Sequence, residues 1–189
     1  MAAAERDRQY FHVLRRQMKR DFIKPLILMT PKSLLRADFS TSRTEDFTNA
    51  KFHEIIPDSV AAVAGRGSKP EKIERVILCS GKVYFDLIAH REKEKISNSA
   101  IIRIEQLYPL DEKQLRAAVE AFSKEARLVW CQEESQNMGA WSFIEPRLRA
   151  MFGREVGYAG RNASASPAVG ALALHKREQA CLIAEAFSV

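Results

Sequence analysis

Arg127-Leu-Val-Trp-Cys-Gln-Glu-Glu134, continued by Ser135-Gln-Asn-Met-Gly-Ala-Trp141, is the stretch whose reading decides the fold. An apolar run closes on two carboxylates, crosses a polar turn and enters an amphipathic segment at Gly139. That order predicts a buried strand over Leu128–Cys131 and a helix from Gly139 to about Met151. Charged groups then stand at the strand's C-terminal end, where open α/β sheets meet their ligands and partners.

The same alternation recurs on both sides. Upstream, Arg75–Cys79 reads as a strand, Ser80-Gly81 as a turn, and Lys82 to about Glu94 as a helix with Val83, Leu87 and Ile88 inward. Ala100–Ile104 is the next strand. Asp111 is the expected N-cap of a helix to about Phe122, with Leu115, Val119 and Phe122 on one face. Downstream come a short strand over Glu155–Tyr158, a small-residue loop over Asn162–Gly170 and a terminal helix over Ala171–Phe187. Strands alternating with such helices predict parallel βαβ units, and uniformly apolar strands predict cover on both faces. The fold class is α/β, a three-layer sandwich around a mainly parallel sheet.

The N-terminal part is less regular. Residues 5–20 have helical spacing at Tyr10, Val13, Leu14 and Met18, and Leu26–Met29 after Pro25 reads as a short buried strand. A helical turn is expected over Ser33–Arg36, loop over Ala37–Ala50, and an edge strand within Phe52–Ile56. Pro57–Lys72, with Gly65, Gly67 and Pro70, reads as a long mobile connection. The chain thus divides into an arm (1–36), a loop or linker (37–72) and an α/β body (73–189).

Charge falls unevenly. Residues 1–43 hold ten Lys/Arg against four acids, so this segment carries the whole net charge of +6. A basic arm suits nucleic acid, an acidic membrane or an acidic protein surface. Nucleic acid is disfavoured because no recognition motif or stacking array accompanies the charge. No apolar run reaches the roughly 18 residues that span a bilayer. The charged start does not read as a secretory signal, and Glu5 and Asp7 argue against a transit peptide.

Chemistry-bearing residues are sparse. Cys79 and Cys131 lie in apolar runs and read as small hydrophobes in a reducing compartment, and no Cys pair has redox or zinc spacing. His12, His53, His90 and His175 have no neighbour at metal-ligand spacing and read as structural. Glu133 and Glu134, adjacent on an extended chain, point opposite ways, which suits capping or interface duty better than acid–base catalysis. Arg103 interrupts a strand and needs a partner, with Glu105 or Glu133 in reach. Ala163-Ser-Ala-Ser-Pro167 lacks a nucleophile-elbow pattern, and its small residues read as allowing close packing against another surface. Ser80-Gly81-Lys82, at a strand-to-helix turn, is the candidate anion site, although no Walker pattern surrounds it.

Several blocks, in order, carry a resemblance. They are Tyr10-Phe-His-Val-Leu-Arg-Arg-Gln17, Lys24-Pro-Leu-Ile-Leu-Met-Thr-Pro-Lys-Ser-Leu-Leu-Arg36 and Cys79-Ser-Gly-Lys-Val-Tyr-Phe-Asp-Leu87. Ile102-Arg-Ile-Glu-Gln-Leu-Tyr-Pro109, Val129–Glu134 with Asn137–Trp141, and Tyr158–Arg161 with Ala163–Ala168 complete them. Together they resemble the C-terminal end of the thiamine-diphosphate-dependent 2-oxoglutarate dehydrogenases, from Tyr10 to Phe187. The resemblance implies a transketolase C-terminal-like domain, preceded over 1–36 by the last helix and strand of a pyrimidine-binding domain. It implies a parent reaction that decarboxylates 2-oxoglutarate on thiamine diphosphate with Mg²⁺ and succinylates the lipoyl group of a succinyltransferase core.

The partners it implies are the remaining domains, a second subunit and that core, with neither nucleic acid nor membrane. It implies the cytoplasm of a bacterium or the mitochondrial matrix of a eukaryote. The family's Gly-Asp-Gly…Asn segment, its substrate-handling histidine stretch and its activating glutamate have no counterpart here. No catalytic, cofactor or metal residue is therefore assigned to this chain, and inactivity alone is expected. Some members bind nucleotide or coenzyme A effectors near this domain, which makes Lys24, Ser80, Gly81 and Lys82 the effector candidates. The alternative is a free-standing nucleotide- or coenzyme A-binding regulatory module, or a protein-interaction domain.

Overall fold

The computed structural model describes residues 7–31, 42–58 and 69–188, together with Val63, Gly65 and Gly67. The helices are α1 (Asp7–Met18), α2 (Thr44–Thr48), α3 (Val83–Lys93), α4 (Glu112–Glu120), α5 (Trp141–Phe152) and α6 (Leu172–Ala186). The strands are β1 (Ile55–Ile56), β2 (Arg75–Cys79), β3 (Ser99–Ile104), β4 (Arg127–Ser135) and β5 (Val156–Arg161). They form one sheet in the order β1-β3-β2-β4-β5, parallel except for β1, which pairs antiparallel to β3 at the edge.

Side-chain alternation makes this a three-layer sandwich. On β2, Val76 and Leu78 face one side while Ile77 and Cys79 face the other. The first face is covered by α4 and α5 through Leu115, Val119, Ile144, Leu148 and Met151. The second is covered by α3 and α6 through Val83, Leu87, Leu182, Ile183 and Ala186. Each such fully buried aliphatic side chain contributes about 1.5–3 kcal/mol, so a strand apolar on both faces demands both helical layers. Asp111 caps α4 as its sequence predicts, its carboxylate accepting from the Gln114 N–H at 2.9 Å.

Several expectations are corrected. Leu26–Met29 is not a buried strand: only Leu28 makes an isolated bridge, Leu26 and Leu28 are half-buried on Val13 and Phe52, and Ile27 and Met29 stay exposed. An apolar run is buried only where both faces have neighbours, and here cover comes from one side. Part of the expected 37–50 loop is helical, since Thr44–Thr48 forms α2. Asp46 accepts from the Arg43 N–H at 3.2 Å, the His12 ring bonds the Asp46 carbonyl at 2.8 Å, and Phe11 meets Phe47 edge-on. Five residues are too few to display a period. The turn expected over Ser33–Arg36 lies outside the described residues.

The expected mobile connection is anchored where it is described. Asp58 forms a buried ion pair with Arg91 of α3 and accepts from the Ile101 N–H at 3.2 Å, and Val63 lies in the core. Finally, β4 extends past Cys131 to Ser135 with an irregularity between those residues, and β5 extends to Arg161. The sheet thereby carries Glu133, Glu134 and Arg161 on its own strands rather than on loops.

Candidate functional site

The chain leaves β2 for α3 on one face of the sheet and leaves β4 for α5 on the other. The crevice between the C-terminal ends of β2 and β4 is therefore the sheet's switch point. A cleft of about 480 Å³ opens there, lined by Ser80, Gly81 and Lys82 from one side and Gln132, Glu133 and Glu134 from the other. Met29, Thr30 and Pro31 close its outer edge. Gly81 turns at φ +86, a conformation that costs glycine little.

The charges at this crevice answer one another. Lys82 Nζ pairs with the Glu133 carboxylate and lies 3.9 Å from Asp86, one turn along α3. Gln179 of α6 donates to Asp86 Oδ2 at 2.8 Å and to Glu133 Oε1 at 2.9 Å. Arg161 at the end of β5 donates to Glu178 at 2.9 Å, to Gln179 Oε1 at 3.1 Å and to the backbone carbonyl of Glu133. It also meets His175 Nδ1 at 3.2 Å. This network ties β4 and β5 to α3 and α6. Glu133 and Glu134 do diverge: Glu133 joins the network, while Glu134 packs beside Gly139.

Gln132 holds the other wall. It continues the Leu128-Trp130 face of β4 and is buried. Its Oε1 accepts from Trp130 Nε1 at 2.9 Å and from the N–H groups of Ala140 and Trp141 at 3.2 and 3.0 Å. Its Nε2 donates to the carbonyls of Met138 (2.8 Å) and Ser135 (3.2 Å). One amide thus satisfies donors at the start of α5 and acceptors of the preceding turn. A Cβ on Gly139, at φ +66, would lie 3.0 Å from Gln132 Nε2 and Glu134.

Of the predicted effector residues, Ser80, Gly81 and Lys82 meet in the cleft, whereas Lys24 is exposed and is not among its lining residues. Lys24 instead lies 5.5 Å from the Phe22 ring. Arg103 finds Glu105 rather than Glu133, Nε to Oε1 at 2.5 Å, both side chains buried and Tyr84 stacked on the guanidinium. Glu105 directly follows β3, two residues after Arg103, and its buried carboxylate is the counter-charge within reach. Burial, with Cys79 and Glu133 adding, pushes the Cys131 thiol above its ordinary range, as befits a core residue. Burial likewise pushes Tyr158 up to about 12, and its hydroxyl donates to the Arg161 carbonyl at 2.9 Å. The Ala163–Pro167 loop, expected to pack against another surface, is exposed in this chain, and Asn137 ties it at Ser164 by two bonds of 2.9 and 3.0 Å.

Sequence reasoning missed Gln132, Arg161 and Gln179 as members of the site. Gln132 carried a signal: a polar side chain on the inward phase of an apolar strand must find internal partners. Gln179 carried none.

Fold and crevice together define an open-sheet α/β domain whose switch point is closed by internally matched charges. Residues 41–187 match the family described as 2-oxoglutarate dehydrogenase C-terminal. The chain is 45% identical over 182 residues to the 2-oxoglutarate dehydrogenase E1 component of Cupriavidus necator, covering 95% of this chain and 18% of that protein. It is 46% identical over 187 residues to the E1 components of Brucella anthropi and Brucella abortus strain S19, covering 94% of this chain and 19% and 18% of those proteins. The chain belongs to this family and corresponds to the C-terminal part of an E1 component. It spans under a fifth of the length of these curated relatives.

A Mg²⁺-diphosphate group does not fit the described residues. Among the described residues no three His, Cys, Asp or Glu converge to hold a metal ion, and Glu133 and Asp86 are already engaged by Lys82 and Gln179. No described helix is long and apolar enough to cross a membrane.

Proposed function

We propose that this chain serves as the assembly part of a 2-oxoglutarate dehydrogenase, the component that decarboxylates 2-oxoglutarate on thiamine diphosphate and succinylates the lipoyl group of the succinyltransferase. The catalytic groups come from the remaining portion of that enzyme, and this chain is inactive alone. One observation carries the reading: Lys82, Glu133, Asp86 and Arg161 at the switch point are engaged with one another and with Gln179 and Glu178 rather than held free over the cleft. The arm supports it. Met18, Phe22, Ile23, Ile27 and Met29 are exposed, an apolar surface suited to the rest of a pyrimidine-binding domain and to a second subunit. The purified chain, given 2-oxoglutarate, thiamine diphosphate and Mg²⁺, turns over no substrate; steady turnover by a homogeneous preparation refutes the proposal.

A second reading has its own observation. The start of α3 borders the 480 Å³ cleft at Lys82, where a helix N-terminus and an ammonium together favour an anion. An anionic nucleotide or coenzyme A effector would there compete with Glu133 for Lys82. Calorimetric titration with acetyl coenzyme A and AMP tests it. Lys82→Ala abolishes the heat if the reading holds, and absence of heat at millimolar ligand removes it.

A further inference from the structure

A second concavity, of about 470 Å³, lies away from the switch point, between α1 and the segment Ala50–Glu54, with the start of α4 as its floor. Its walls are basic. Arg15, Lys19 and Lys51 line it, are exposed and make no ion pair among the described residues. Arg15 lies in the last turn of α1 and Lys19 in the turn directly after it, and both line the groove. The acids present are already committed: Glu54 to Arg16 at 2.7 Å, and Asp111 to capping α4. The positive field is felt nearby. Burial, then Arg8, Lys51 and His12, hold the His53 ring below its usual range; burial and Arg20 lower Arg16.

The groove's shape narrows what it takes. Phe52 is buried and the Arg16 guanidinium covers its ring at 4.3 Å, so this aromatic face is closed to a base. The adjoining edge strand is blunted as well, because the Ile55 N–H donates to Gln114 Oε1 at 3.0 Å. Recognition therefore runs through carboxylate side chains rather than bases or an added strand.

We propose that this groove docks an acidic segment of a partner protein, whose carboxylates meet Arg15, Lys19 and Lys51. The test is fluorescence anisotropy with a labelled Glu/Asp-rich peptide of about twelve residues at roughly 50 mM salt, where screening is moderate. Saturable binding is expected, with Lys19→Glu and Lys51→Glu each weakening it at least about threefold. Lys93→Glu, on α3 with its side chain 79% exposed, changes net charge equally and leaves affinity unaltered. Lys19→Gln and Lys51→Gln, which remove the charge without repelling the acidic peptide, weaken it less but in the same direction. Absence of saturation at millimolar peptide, or equal loss with Lys93→Glu, overturns the proposal. So does a single-stranded oligonucleotide that binds more tightly than the peptide and loses affinity in the same variants.

Discussion

Replacing Gln132 with leucine removes one amide and nothing else of comparable size. The Trp130 Nε1–H, held at 2.9 Å, is left inside the core with no acceptor. An unmade buried hydrogen bond of that kind costs about 1–3 kcal/mol. The Ala140 and Trp141 N–H groups lie at a half-buried helix start, where water reaches them, and losing their acceptor costs about 1 kcal/mol each. Leucine recovers about 1 kcal/mol by apolar burial. The net loss is about 2–4 kcal/mol, which lowers the melting midpoint of a chain this long by roughly 5–15 °C. Thermal unfolding followed by circular dichroism, paired with urea titration, reads both quantities. A midpoint within about 2 °C of the parent chain would mean that Gln132 does not organise the start of α5.

Other substitutions, a labelling experiment and a pH titration separate local causes. Gly139→Ala meets Gln132 and Glu134 at 3.0 Å on top of its φ of +66, whereas Gly153→Ala, at φ +65, meets nothing within 4 Å. In urea titration the first loses about 2–3 kcal/mol and the second about 1, so equal losses would refute the steric part. Asp58→Ala strands the buried Arg91 guanidinium and orphans the Ile101 N–H, for a loss of about 3–5 kcal/mol; a loss under about 1 would mean that solvent reaches Arg91. In native protein a thiol reagent modifies Cys181 alone, because Cys79 and Cys131 are buried. The Cys131 thiol is held above the ordinary 9.0, so the unfolded chain ionises first and stability falls as pH rises past about 9. Tyr158, up from 10.0 to about 12, deepens that fall. A urea midpoint constant from pH 8 to 10.5 contradicts both.

What the sequence made legible was what neighbouring residues settle among themselves. The strand at Val76–Cys79 and the cap at Asp111 depend on an apolar run and a carboxylate three residues from its donor. Arg103 announced its need for a counter-charge, and Glu105, just past the end of β3, supplied it. Longer links stayed hidden: Lys82 and Glu133 are brought together by the pairing of β2 with β4, and Gln179 enters from the last helix. The apolar run Leu26–Met29 misled for the opposite reason, since hydrophobicity alone does not say whether a neighbour exists. The five residues of α2 are held by contacts to α1 rather than by their own pattern.

Complementation addresses the assembly role most directly. The Cupriavidus necator E1 component, shortened by the 182-residue stretch that this chain matches, is titrated with the chain while 2-oxoglutarate-dependent turnover is recorded. Neither piece turns over substrate alone, and activity rises to saturation as they combine. Full activity of the shortened enzyme without this chain, or any activity of this chain without its partner, would contradict that role.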